Sequence, residues 1–184
     1  MAKPAAAPPL PTLASPSPEL LDAYLDFCRE SWGHVHEEYI LHDPAKFGEW
    51  RETIFDELRR AENGTGLAPG IVPSVTYWLT LGGRVVGVAN LRKRLNETLE
   101  RYGGHLGLCL RPSERGKGYA SSLLPLLFAE AGRLGIREVL VTTTAENLPS
   151  RRVNESQPGC RSEEAVVTLH GRPVRIFRYR HSLS

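Results

Sequence analysis

The residues best able to do chemistry lie in one stretch, His105-Leu-Gly-Leu-Cys-Leu-Arg-Pro-Ser-Glu-Arg-Gly-Lys-Gly-Tyr-Ala120. It reads as a strand that runs through a glycine turn into a helix starting near Gly118. Such a start presents unpaired backbone N–H groups and the positive end of the helix dipole, and both favour phosphate. Gly116 and Gly118 have no side chain to keep a ligand off the backbone, and Arg115 and Lys117 add positive charge beside it. Arg115, Gly116, Lys117, Gly118, Tyr119 and Ala120 therefore form a cradle for a diphosphate-bearing ligand. A P-loop would need Ser or Thr after the lysine, where Gly118 stands. A dinucleotide fingerprint would need a third glycine where Ser121 stands, and an acidic residue at the end of a following strand.

Other candidates surround this stretch. His105, with an ordinary imidazole pKa of about 6.5, suits a general base. Glu97 and Glu100 lie just before it and could act through water or line a pocket, or simply be solvated charge. Tyr77 and Trp78 occupy adjacent strand positions and so point to opposite faces, one toward a pocket and the other into the core. His34-x-His36 with His42 lacks a third ligand of definite geometry, so no metal is expected. Cys109 has no histidine placed to activate it and reads as packing.

Periodicity supplies the elements that must hold these groups. Ser17-Pro18 opens a helix carrying Leu21, Tyr24, Leu25 and Cys28 on one face, and Phe47, Trp50, Ile54 and Leu58 mark a second helix from Pro44 to about Glu62. Strands follow at Ser74–Leu81 and Arg84–Asn90 around Gly82-Gly83, then at His105–Leu110. A helix from Gly118 to Leu134, a buried strand Ile136–Thr144, a short helix from Asn147 and a terminal hairpin around Gly171 complete the chain. The order predicts a mixed α/β sheet. Residues 1–17, rich in proline and alanine, read as a loose arm with an edge strand near Leu10–Ala14, and 18–184 as one domain.

Composition narrows the function. Lys plus Arg is 23 against 21 for Asp plus Glu, a net charge of +2, which is too balanced to argue for a nucleic-acid partner. No apolar run reaches the roughly 20 residues of a membrane helix, and the start lacks the apolar core of a secretory signal. Three widely spaced cysteines make neither a disulfide framework nor a zinc signature. A cytoplasmic protein is expected.

Arg115-Gly116-Lys117-Gly118-Tyr119-Ala120 matches Arg/Gln-x-x-Gly-x-Gly/Ala, and so resembles the pyrophosphate loop of the GNAT superfamily of acyl-CoA-dependent N-acyltransferases. Tyr77-Trp78, Gly87, Leu91-Arg92, Leu95-Asn96, Gly103-Gly104-His105, Arg111-Pro112-Ser113-Glu114, Asn147-Leu148-Pro149-Ser150 and Arg178-Tyr179-Arg180 are similar to a group of bacterial predicted acetyltransferases within it. The resemblance spans Ser74 to Tyr179. It implies an α/β (α+β) fold with a mostly antiparallel sheet of about 6–7 strands, splayed centrally and flanked by about 4 helices. Acetyl-CoA would be the co-substrate. Its pyrophosphate would lie on the Arg115–Ala120 loop, and its pantetheine along the backbone of Leu108, Cys109 and Leu110. The Leu108 N–H would polarise the thioester carbonyl, Asn147 and Ser150 would lie along the other side, and Arg151 would contact the 3′-phosphate or form a solvated helix face. Tyr77, Trp78 and Arg92 would line the pocket of an unidentified primary amine, which attacks the thioester directly with His105 or Glu97 as base. Asn154 stands where many relatives carry a Tyr that protonates the leaving thiolate. A homodimer is a further implication. A non-catalytic acyl-CoA-binding module is the alternative that the residues leave open, and an ATP or NAD site on the same loop a weaker one.

Overall fold

The computed structural model describes residues 9–34 and 41–183. Its strands form two sheets. In the first, β1 (Thr12–Ala14), β2 (Ser74–Leu81), β3 (Arg84–Arg92) and β4 (Leu106–Leu110) lie in chain order. In the second, β5 (Glu138–Thr144) and β6 (Arg161–Leu169) flank β7 (Arg172–Ser182). Every paired strand is antiparallel. No ladder joins β4 to β5, so the sheet is split where the sequence resemblance implied a splay.

Helices cover the two faces of the first sheet because adjacent strand residues point to opposite sides. On one face α1 (Leu21–Ser31) and α2 (Phe47–Asn63) cover Trp78, Val85, Val88 and Cys109. Trp78 is fully buried and stacks on Tyr24 with ring centroids 4.5 Å apart. On the other face α4 (Tyr119–Arg133) sets Leu123, Leu124 and Leu127 against Leu79, Val86, Ala89 and Leu106, and against Val139 and Val141 of β5. This second core holds the two sheets together although their strands do not pair. The short helices α3 (Glu97–Arg101) and α5 (Leu148–Glu155) follow β3 and β5, with Asn96 and Asn147 as their side-chain caps.

Pro125 lies inside α4, where it removes the hydrogen bond to the Ser121 carbonyl. Both residues are exposed, so water can satisfy that carbonyl. Among the described residues no helix is long and apolar enough to cross a membrane.

Candidate active site

The loop between β4 and α4 is built for an anion. Gly118 caps α4 at φ +79° and Gly116 has φ +76°, both left-handed conformations that suit glycine. A Cβ at either would meet nothing within 4 Å, so the space above the loop is open to a ligand. Gly118 makes no side-chain cap, and the first N–H to turn back is that of Ser122, toward Gly118 O at 3.3 Å. The N–H groups of Gly116, Lys117, Gly118, Tyr119 and Ala120 have no acceptor among the described residues. They fit a pyrophosphate. The Tyr119 ring is buried in the core beneath, which fixes the first turn.

The loop's charged side chains are largely engaged. Arg115 donates through Nε to Leu110 O at 3.2 Å and through Nη2 to His34 O at 3.3 Å. Lys117 Nζ donates to the buried Glu114 at 2.7 Å, and Arg84 approaches the same carboxylate at 3.4 Å. Arg111, only 3% exposed, donates to Asp26 and Glu30 of α1 at 2.9 Å each and locks the exit of β4. The backbone, more than the lysine, is what the cradle offers.

Strand parity identifies which backbone groups face the gap. Arg92 N–H donates to His105 O and Arg111 N–H to Val86 O, which marks 92–105 and 86–111 as hydrogen-bonded pairs. Antiparallel pairing alternates, so Gly107 and Cys109 also bond β3, while Leu106, Leu108 and Leu110 turn their N–H and C=O toward the β5 side. Leu110 O receiving Arg115 agrees with that parity. Leu108 and Leu110 therefore turn backbone groups toward the gap, the Leu110 carbonyl being taken by Arg115. Cys109 does not: its main chain is committed to β3 and its side chain is buried against α1 and α2.

On the far side, Asn147 Oδ1 accepts the Ser150 N–H at 3.2 Å and so caps α5. The Arg151 guanidinium lies 3.9 Å over the Phe177 ring and donates to Ala145 O at 3.3 Å, so it is no freely solvated face. Asn154 is buried and donates to Ser150 O at 2.9 Å, while its Oδ1 lies 3.0 Å from His181 Nε2. It fills a core position.

At the start of β4 lies a cavity of about 380 Å³ lined by Leu95, Glu100, His105, Glu138, Leu140 and Arg180. Glu138 is held by Arg161 and by Arg180, the latter at 2.9 Å, whereas Glu100 has no ion-pair partner among the described residues. Glu97, the other carboxylate of α3, is absent from this lining. His105 accepts the Leu140 N–H at Nδ1 at 3.0 Å, so its neutral ring carries the proton on Nε2 and has no free lone pair for an incoming proton. Burial, with Arg92 beside it, holds its pKa below the ordinary value. The geometry thus withdraws the base role expected of His105.

Nor do the expected pocket residues line this cavity. Trp78 is core. Tyr77 turns toward α4, where its hydroxyl donates to Glu130 at 3.2 Å and burial beside that carboxylate raises its pKa to about 12. Arg92 is buried and donates to Gly103 O and Gly104 O at 3.1 and 3.0 Å, bracing the turn before His105. His42 is engaged with Tyr24 Oη at 2.6 Å; His36 lies outside the described residues. Among the described residues no group of three or more His, Cys, Asp or Glu is placed to hold a metal.

The profile of the Acetyltransferase (GNAT) family matches residues 18–157, most of the chain. The chain belongs to the GNAT family. No curated protein matches it. Solved structures share the fold at low identity. A probable acetyltransferase is 18% identical with a TM-score of 0.68, covering 95% of this chain and 94% of its own. A ribosomal L7/L12 alpha-N-protein acetyltransferase, RimL, in complex with coenzyme A, is 14% identical with a TM-score of 0.67 and 96% of both chains covered. YncA of Salmonella typhimurium, a putative acetyltransferase with its cofactor acetyl-CoA, is 18% identical with a TM-score of 0.61, covering 96% of this chain and 95% of its own. This GNAT protein is accordingly an acyltransferase enzyme that moves an acetyl group from acetyl-CoA to nitrogen.

Proposed function

We propose that this GNAT enzyme holds the acetyl-CoA pyrophosphate on the N–H groups of Gly116 to Ala120 and acetylates a small primary amine at the other end of β4. The observation that carries the reading is a pair of backbone stretches without partners among the described residues, the N–H groups of Gly116 to Ala120 at the α4 start and the gap-side N–H groups of Leu108 and Leu110. Leu108 lies mid-strand, about 7 Å from Leu110 at ~3.3 Å per residue, between the cradle and the cavity.

In this reading the chain supplies position and charge. The Leu108 N–H donates to the thioester oxygen as negative charge develops there. The amine arrives as an ammonium, drawn by the uncompensated Glu100, and loses a proton to water or to that carboxylate. Its nitrogen forms the new C–N bond and gives up a second proton to solvent as the C–S bond breaks and the thiolate leaves; the buried Asn154 offers the thiolate no acidic proton. Asn147 and Ser150 hold the start of α5 along the far wall. Residues 18–184 work as one domain, with β1 of the preceding segment added as an edge strand. Cys28, Cys109 and Cys160 are not joined in a disulfide, in keeping with a reducing cytoplasm. β6 is a sheet edge with Val166 65% exposed, and a second copy is the proposed neighbour there.

Calorimetric titration with acetyl-CoA, CoA and ATP in parallel tests the cradle. Micromolar binding of both CoA species, about −8 kcal/mol, without ATP binding is expected. Absence of CoA binding by folded protein overturns the assignment. Light scattering tests the dimer.

A further inference from the structure

The two sheets share no ladder, yet His105 and Leu140 exchange hydrogen bonds across the split. His105 N–H donates to Leu140 O at 2.7 Å, and the Leu140 N–H donates back to the His105 ring at Nδ1, 3.0 Å. This reciprocal exchange copies an antiparallel bridge with an imidazole nitrogen in place of a carbonyl. The true carbonyl of His105 is aimed the other way, at β3, where it accepts from Arg92 N–H at 2.8 Å. The approach is close: a Cβ on Gly104 would fall 2.4 Å from Leu140 O. The Gly103 N–H adds a bond to Thr142 Oγ1 at 2.8 Å, and the two glycine carbonyls are braced by Arg92.

We infer that His105 is a positioning residue, a neutral clasp whose Nδ1 completes the β4–β5 junction and so sets the width of the gap beyond it. The inference rests on the acetyl-CoA reading only in what the gap receives. Leu140 can donate to His105 only while Nδ1 keeps its lone pair. Protonation at Nδ1 would set donor against donor and release the junction. The charged groups around the ring are Arg92 from β3, Glu100 from α3, Glu138 from β5 and Arg180 from β7. The two arginines oppose that protonation and the two carboxylates favour it. In contrast to a base, this role needs an acceptor at the Nδ1 position and nothing at Nε2.

Substitution separates the roles. His105→Asn keeps an oxygen near the Nδ1 position, His105→Gln moves it toward Nε2, and His105→Ala removes it. Expected for His105→Asn are wild-type protection of the Leu140 amide in hydrogen exchange and CoA affinity within about threefold of wild type. His105→Ala and His105→Gln are expected to lose Leu140 protection and roughly tenfold in CoA affinity, the scale of one buried hydrogen bond. Nitrogen NMR of wild-type protein at pH 7.5 should report the Nε2–H tautomer. The inference is overturned by the Nδ1–H tautomer, or by Leu140 protection that survives in His105→Ala. It is equally overturned if all three variants lose activity together with a limb of the kcat/KM pH profile. If wild-type protein binds no CoA, the reading of the gap fails, whereas the exchange and NMR data still decide the clasp.

Discussion

The two ends of β4 are made differently. At the Leu110 end the cradle is assembled from neighbours in sequence: a strand, a turn over Pro112–Glu114, two glycines in left-handed conformations and a helix start within ten residues. Its binding groups are main-chain N–H groups, which any sequence able to make that turn would present. At the His105 end, the parts come from β3, α3, β5 and β7, and the functional groups are side chains. On the proposed reading, cofactor binding is lodged in backbone geometry, and acceptor choice in long-range side-chain placement. A family can keep the first while varying the second.

Breaking the cradle should have the largest effect. Gly118→Val forces a β-branched residue to φ +79° while its Cβ meets open space, so the distortion falls on the loop and not on the core. Acetyl-CoA affinity should fall at least ~100-fold, about 2.7 kcal/mol, by calorimetry, with the circular dichroism spectrum retained. Unchanged affinity would remove the cradle from the site. Arg111→Met tests how far the cradle depends on α1. Losing the two charge-assisted bonds to Asp26 and Glu30 should cost about 2 kcal/mol of stability, seen as a lower Tm.

Acid should loosen three partly buried histidines, His105 at the opposite end, His42 under α1 and α2, and His181 beside Asn154. His42, His105 and His181 all have pKa values lowered by burial, that of His42 to about 4. The folded state keeps them neutral while the unfolded chain takes up protons near 6.5. Their contribution is therefore full above about pH 6.5 and is lost as pH falls below it, with His42 alone giving up about 2 kcal/mol toward pH 4 once partial exposure is discounted. Denaturant midpoints between pH 7.5 and 4.5 measure it; a flat profile would contradict neutral burial. Glu100→Gln should raise KM for the amine roughly tenfold and leave KM for acetyl-CoA alone, which separates the two ends directly. The smallest effect is expected for Lys117→Ala. Its ammonium is exposed and paired with Glu114, so CoA affinity should change about two- to threefold.

Local pattern made the fold legible. The helical stripe from Leu21 to Cys28 lies in α1, the Gly82-Gly83 signal joins β2 to β3, and Arg115–Ala120 stands between β4 and α4. The helix expected from Pro44 starts instead as a 3-10 turn over Pro44–Lys46, with Asp43 capping the Ala45 N–H. At the acyl end, the same reading placed side chains less well. Alternation along β2 separated Tyr77 from Trp78, but it could not tell which helix covers each face. Arg92 reads as a pocket residue until its guanidinium is found on the carbonyls of Gly103 and Gly104. Glu97 and Glu100 are alike in sequence, and only the orientation of α3 puts Glu100 on the cavity.

By itself the sequence determined the strand–turn–helix of the cradle, because glycine conformations and helix termini depend on residues a few positions apart. Only the tertiary structure decided what His105 does. Its partners, Arg92 and Leu140, lie 13 and 35 residues away along the chain. A ring nitrogen's role as acceptor, donor or base is set by the hydrogen bond it meets there.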